Sequence, residues 1–325
     1  MHLSHRNARA DPTLLPLANS GLSDNLGAMK IVLTLLILWL VVPCHAQQPL
    51  LPIEAVNALR PLEISDSTIS KEFALNISGI TQRRGKTYYT DEAKPQVLIA
   101  DGASPQVISQ RMRVRSGWLG SVDLDYALDA DLFFTLDLTA DGFEVTKLKI
   151  GPGPDGLLEV RSSTKSNVLK NTDLPKTMKN ASPAGIAVSA DGNRLWLLLS
   201  AKSDTSPEAT QLLEFELPSE RNRASAPRLL TSFELSLPQS NSPSLTPGGM
   251  TATPRGLWVV GSAGSTSVLL WLGFGAEQPR IALQNFTSGF FPTDIIDVSP
   301  GLNVVCYDSR NRRSYLLSLP LLIPQ

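Results

Sequence analysis

The chain has 325 residues, of which 42% are apolar and 18% charged, with a formal net charge of −1. That length allows one large or two small domains with an ordinary apolar core. The near-neutral balance argues against a nucleic-acid binder, which would carry a strongly basic face.

Residues 1–28 are polar and without pattern, and they read as an extension upstream of the true start at Met29. From Met29 the segment "MKIVLTLLILWLVVPCHAQQ" has one Lys, an apolar run over Ile31–Val42 and a small-residue site ending at Ala46. These are the three parts of a secretory signal, so residues 29–46 are predicted to be a signal peptide cleaved before Gln47. The run is too short for a membrane span, which needs about 20 residues. An uncleaved anchor is the alternative. The expected address is secreted or periplasmic, with no stable membrane span after cleavage.

Cleavage has chemical consequences. His2, His5 and His45, and Cys44, all precede Gln47, so the mature chain holds no histidine and one cysteine, Cys306. Ser-His-Asp and Cys-His catalysis, imidazole-bound zinc and an internal disulfide are therefore excluded. Cys306, in "LNVVCYDS", reads as a small buried hydrophobe.

Residues 47–75 form a lead-in, and "LPIEAVNALRPLEIS" within it (51–65) is apolar enough to supply a strand. From residue 76 onward the chain shows short apolar or alternating runs broken by Gly, Pro, Asn, Asp and Ser, the signature of an all-β fold. A pattern recurs. "GITQRRGKTYYTDEA" starts at Gly79, "GIAVSADGNRLWLLLSA" at Gly185 and "GMTATPRGLWVVGSA" at Gly249. "DLDYALDADLFFTLD" and "DIIDVSPGLNVVCYDS" fit with Asp123 and Asp294 in place of the first Gly. The starts lie 44, 62, 64 and 45 residues apart, near the 40–45 of a propeller blade. The polar stretches "KSNVLKNTDLPKTMKN" and "PSERNRASAPR" account for the two long units and are assigned to loops. The last unit lacks a fourth strand, which the lead-in can provide. The prediction is a β-propeller over 76–325 with five four-stranded blades, closed by an N-terminal strand. Six blades, or a two-sheet sandwich, are the alternatives.

"SGITQRRGKTYYTD" (Ser78–Asp91), "VDLDYALDADLFFTLD" and "SPAGIAVSADGNRLWLLLS" together resemble secreted bacterial propellers of the SdiA-regulated group and the related esterase-like phytases. The resemblance is one of pattern and implies a bladed ring, an extracytoplasmic location and, in some members, bound calcium. Those families carry a Glu before several of the starting glycines. Here the places are taken by Ser78, Val122, Ala184, Gly248 and Thr293, so a phytase-like metal site does not carry over.

Asp123–Glu144 contains seven acidic residues and no Lys or Arg. Clustered carboxylates suit a hard cation such as Ca²⁺, although Asp also favours turns for its bonds to backbone. Residues that open innermost strands gather at the mouth of a propeller's channel. Asp123 and Asp294 hold that place, with Asp125 and Asp297 just inside them. These four are the candidate ligand- or metal-binding residues, and Asp123 and Asp294 the candidate Ca²⁺ ligands. Arg83, Arg84 and Lys86, with Arg111, Arg113 and Arg115 of "RMRVR", make one blade basic. Trp196 and Trp258 occupy matching second-strand positions and read as core, while Trp118 is expected near a loop. No G-x-S-x-G elbow is present.

The sequence thus points to a binding module of the cell envelope for an extracellular or envelope protein or glycan, with no nucleic-acid partner. No catalytic residues can be named. The alternative function is a Ca²⁺-dependent, histidine-free hydrolase acting on phosphoesters in the manner of phytases.

Overall fold

The computed structural model describes residues 59–320 apart from 66–74, 93, 113–120, 141, 154–157, 161–165, 179, 202–208, 219–225, 238–243, 276–278, 288 and 299–300. The expected signal peptide at 29–46, its upstream extension, Arg113, Arg115 and Trp118 lie outside the described residues.

β1 (Leu59–Pro61) and β2 (Glu63–Ile64) precede the first blade, which is built from β3 (Ile77–Arg83), β4 (Lys86–Asp91), β5 (Lys94–Asp101) and β6 (Val107–Met112). The second blade uses β7 (Ser121–Ala127), β8 (Leu132–Thr139) and β9 (Gly142–Leu148). A two-stranded ribbon of β10 (Ile150–Pro152) and β11 (Leu158–Val160) follows, and β12 (Ser166–Lys170) completes the blade. The third blade is β13 (Ser182–Val188), β14 (Arg194–Ala201), β15 (Ala209–Glu216) and β16 (Arg228–Leu235). The fourth is β17 (Leu245–Thr253), β18 (Gly256–Ala263), β19 (Thr266–Gly273) and β20 (Arg280–Gln284). The fifth has β21 (Phe291–Asp297), β22 (Gly301–Asp308) and β23 (Arg313–Pro320), and β1 pairs antiparallel with β23 as its outer strand. The chain is therefore a five-bladed β-propeller closed by an N-terminal strand. β2 adds in parallel to the outer edge of the first blade.

Closure follows from the pleat. Successive side chains of a strand face opposite sides, and in a blade both sides meet a neighbour. In β14, Leu195, Leu197 and Leu199 pack toward the second blade, while Trp196 and Leu198 pack toward the fourth. This explains why the inner runs are apolar without alternation. Five buried clusters result, one at each junction between blades, including the junction of the fifth with the first. Trp196, Trp258 and Cys306 are buried, as their apolar settings predict.

Two expectations need correction. "KSNVLKNTDLPKTMKN" is not all loop, because its Ser166–Lys170 part pairs with β9 as the outer strand of the second blade. An edge strand buries little, so its apolar signal is only Val168 and Leu169, with Leu169 alone fully buried. Arg83 does not add to a basic surface. It is buried, and its guanidinium is held by the second blade.

Candidate functional site

Each of the five innermost strands carries a register shift at the same place, between Ile77 and Gly79, Ser121 and Asp123, Pro183 and Gly185, Pro247 and Gly249, and Pro292 and Asp294. The skipped residues are Ser78, Val122, Ala184, Gly248 and Thr293, so each blade has a bulge before its starting residue. A bulge kinks the strand and turns the next groups. Two of the bulge side chains lace neighbouring blades. Ser78 Oγ donates to Ser121 O at 3.0 Å, and Thr293 Oγ1 donates to Ile77 O at 2.9 Å.

Past the bulges, Gly79, Asp123, Gly185, Gly249 and Asp294 converge on the axis. A Cβ on Gly79 would lie 2.8 Å from Asp123 Oδ1, one on Gly185 3.2 Å from Asp123 Oδ2, and one on Gly249 2.1 Å from Asp294 Oδ1. The three glycines thus make the space that the two carboxyl groups fill. Each aspartate reaches the following blade: Asp294 Oδ2 accepts from Ile80 N at 2.6 Å and Asp123 Oδ2 from Ile186 N at 2.7 Å. Asp123 Oδ1 also accepts from Leu124 N at 2.6 Å, and the Ile295 amide beside the Asp294 carboxyl favours its charged form. The two carboxyl groups lie within hydrogen-bonding reach of each other, and both residues are 1% exposed. Burial pushes both groups well above the usual carboxylate range, and the Asp123 charge raises Asp294 further.

Asp125 sits one pleat along β7. Its Oδ2 accepts from Val188 N at 2.8 Å, and its Oδ1 from Tyr126 N at 2.7 Å and Thr81 Oγ1 at 3.3 Å. Burial pushes this carboxyl up to about 7 against those three donors. Asp297, three residues past Asp294, falls on the other face of β21 by strand alternation. The axis therefore gathers Asp123 and Asp294, with Asp125 beneath them, and leaves Asp297 aside.

The donor set fits calcium poorly. Ca²⁺ takes six to eight oxygens, but three of the four carboxylate oxygens here already accept backbone N–H groups, and the groups aimed at the pair are amides rather than carbonyls. No cluster of three or more His, Cys, Asp or Glu suited to a metal occurs among the described residues. With 1% exposure, Asp123 and Asp294 also offer no approach to a hydrolytic substrate.

Two other features lie at the end of the ring where the innermost strands finish, and sequence reading missed both. The first joins the first two blades. β3 and β4 are linked by a two-residue turn, Arg84-Gly85, with φ of 49° and 71°, the positive values a type I′ hairpin requires. It presents Arg83 and Arg84 to Asp131. Arg83 Nη2 lies 2.7 Å from Asp131 Oδ1, Arg84 Nη2 lies 3.2 Å from Oδ2, and Tyr126 Oη donates to Oδ1 at 2.6 Å. Arg83 also covers the Tyr126 and Phe133 rings and donates to Ile150 O. The Tyr126 hydroxyl and the two guanidinium groups hold the Asp131 carboxyl below its usual range.

The second is an open cleft of about 520 Å³ lined by Asp129, Ser189, Ala190, Asp191, Asn193, Arg194 and Glu216. The β7–β8 turn closes one side, docked by Asp129 N and Ala130 N on Ala190 O at 2.8 and 3.3 Å. The β13–β14 turn forms the floor, where Asp191 accepts from Ser189 Oγ, Asn193 N and Asn193 Nδ2. Leu128 stands beside the cleft 67% exposed. At the same end, Phe274 is 49% exposed and stacks on Trp196, ring centroids 5.2 Å apart. The Asp191-Gly192 pair is itself a hairpin signal in the sequence, but no local pattern says which turns meet across blades.

The solved structures similar to this chain share little of its sequence. No protein-family model and no characterised protein sequence matches the chain. The PQQ-bound aldose sugar dehydrogenase from Streptomyces coelicolor is 11% identical, with 81% of this chain and 97% of that one covered and a TM-score of 0.43. A putative TolB from Agrobacterium tumefaciens is 11% identical over 72% and 70% of the two chains, TM-score 0.40. The β-propeller domain of Cps50 (Swd1) from Myceliophteria thermophila is 10% identical over 75% and 83%, TM-score 0.40. The resemblance to the SdiA-regulated and phytase groups rests on the sequence pattern described above.

Proposed function

We propose that this propeller is a binding module of the cell envelope, exported through segment 29–46, and that its ligand is a segment of another protein. The observation that carries the reading is the face at the cleft. Two exposed apolar side chains, Leu128 next to the lining residue Asp129 and Phe274 stacked on Trp196, share one end of the ring with a polar recess lined by three carboxylates and one arginine. Apolar anchors beside a polar rim are the usual anatomy of a protein-binding surface. The turns that build it are pinned by backbone hydrogen bonds on a rigid ring, which lowers the ordering cost of binding. Arg194 is already bonded to Glu214 at 2.8 Å, so the recess favours a ligand with basic as well as apolar groups.

A photocrosslinking amino acid placed at Leu128 or at Phe274, in cells that export the protein, tests this. Discrete adducts are expected at both positions, on chains whose first residue is Gln47. Leu138, 43% exposed near the opposite end of the ring, is the control. No adduct at Leu128 and Phe274, or equal adducts at Leu138, would overturn the reading.

A further inference from the structure

We propose that Asp123 and Asp294 are held together by one shared proton, carried on Asp294 Oδ1, and that this proton is a pH-dependent latch across the centre of the ring. The disagreement between the donor set and a calcium ion leads to it, independently of the proposed binding face. Three of the four carboxylate oxygens accept backbone amides. The fourth, Asp294 Oδ1, is buried and has no hydrogen-bond partner of ordinary geometry among the described residues. It lies over Gly249, where a side chain would overlap it. A buried acceptor without a partner is costly, and two touching carboxylates cannot both stay ionised out of water. A single proton on Oδ1 removes both problems, because it neutralises Asp294 and donates to the Asp123 carboxylate.

Among the described residues of the innermost strands, no alternative counter-charge faces the pair. The strands packed on the pair are β3, β7, β13, β17 and β21, and the one cation in their sequences is Arg83, bound to Asp131 and Ile150 O. The other titratable groups on them are Asp125, Asp297 and Tyr126. Asp125 is held by Val188 N, Tyr126 N and Thr81 Oγ1, Asp297 faces away, and Tyr126 bonds Asp131. None can neutralise the pair. The direction in which burial moves both carboxyls agrees.

The sign follows from linkage. A carboxyl whose folded value is raised binds a proton that the unfolded chain releases near pH 4, so stability is greatest below that pH and falls as pH rises through the folded value. When the proton leaves, two adjacent charges repel across the axis. The contacts that suffer are those tying the fifth blade to the first at Ile80 and the second to the third at Ile186.

Thermal unfolding of the full chain between pH 5 and 9 tests the latch, comparing wild type with D294N and D123N. In D294N an amide N–H takes the place of the proton and still donates to Asp123. This variant should fold and hold its Tm more nearly constant from pH 5 upward, where wild type declines. In D123N an amide N–H faces Leu124 N or Ile186 N, so a lower Tm at every pH is expected. An equal decline between pH 5 and 9 in wild type and D294N would overturn the proposal, as would a rise in the wild-type Tm on adding calcium. Infrared difference spectra of wild type supply a readout that does not depend on the variants. A protonated-carboxyl band beyond that of Asp125 should be present at pH 6, well above the range of an ordinary carboxyl, and its absence would equally overturn the proposal.

Discussion

At the axis and at the end of the ring, aspartates join neighbouring blades by opposite means. Asp123 and Asp294 are sealed among backbone amides with no cation beside them, and their affinity for a proton is raised. Asp131 stands with its side chain 33% exposed between Arg83 and Arg84, and its affinity for a proton is lowered. The residue type is the same. What differs is access to water and the sign of the neighbours, and these set whether the aspartate works as an acid or as an anion. The bonds at the axis are therefore strongest in acid, whereas the ion pair is strongest above the Asp131 range and weakens as pH falls through it. A ring held by both has a stability maximum between the two losses.

The largest effect that separates these regions is steric. In G249A the new Cβ would meet Asp294 Oδ1 at 2.1 Å and Asp294 Cα at 2.9 Å, and backbone cannot yield as a flexible side chain can. Overpacking of this kind costs about 1–3 kcal/mol, and lost contacts at the axis bring the expected loss to about 3 kcal/mol or more. In G85A nothing lies within 4 Å of the new Cβ, although φ is +71°, so a loss of about 1 kcal/mol is expected. Urea unfolding of both variants provides the measurement. Similar losses would show that the axis is no more tightly packed than an exposed turn.

An intermediate effect is expected at the ion pair. R83M keeps much of the side-chain volume over Tyr126 and Phe133 but leaves Asp131 without its buried partner. Breaking a fully buried pair costs about 3–5 kcal/mol. Asp131 can turn to water and to Arg84, so about 2 kcal/mol is the expected loss near neutral pH. It should shrink as pH falls and Asp131 becomes protonated, so that wild type and R83M converge in acid. D294N and wild type should instead diverge on the alkaline side. A loss in R83M that is independent of pH would mean that packing over the rings, rather than charge, joins these blades.

The axis was more legible in the sequence than the ion pair, for a physical reason. Gly79, Gly185 and Gly249 open repeated hairpins, so a ruler laid along the chain exposes Asp123 and Asp294 as the places where glycine is exchanged for a carboxylate. The repeat carries that information locally. What it hides is the direction each side chain takes, because a bulge at Ser78, Val122, Ala184, Gly248 and Thr293 resets the alternation by one residue. Past the bulge the alternation is regular, so Asp297, three residues past Asp294, is separable from Asp125, two past Asp123, by spacing alone. The Arg83–Asp131 pair joins residues 48 apart on two turns, and no local pattern links them, so Arg83 read as solvated charge. β12 was missed for a related reason: an outer strand with one buried leucine has no apolar period to detect.

The smallest stability effect bears most directly on function. Arg194 and Glu214 form an ion pair at 2.8 Å, with the arginine side chain 58% exposed. Exposed pairs of this kind contribute about 0–1 kcal/mol, so R194M should unfold within about 0.5 kcal/mol of wild type. The cleft would change much more, because its one cation disappears while Asp129, Asp191 and Glu216 remain. If the recess selects basic groups on a ligand, R194M should increase the yield of adducts at Leu128 with stability unaltered. A change in stability with no change in adducts would make this pair one more tie between strands of the third blade, like Arg228–Glu216 on β15 and β16. An unchanged stability with altered adducts would separate it from the axis and from Arg83, whose charges serve the ring, and assign its charge to the ligand.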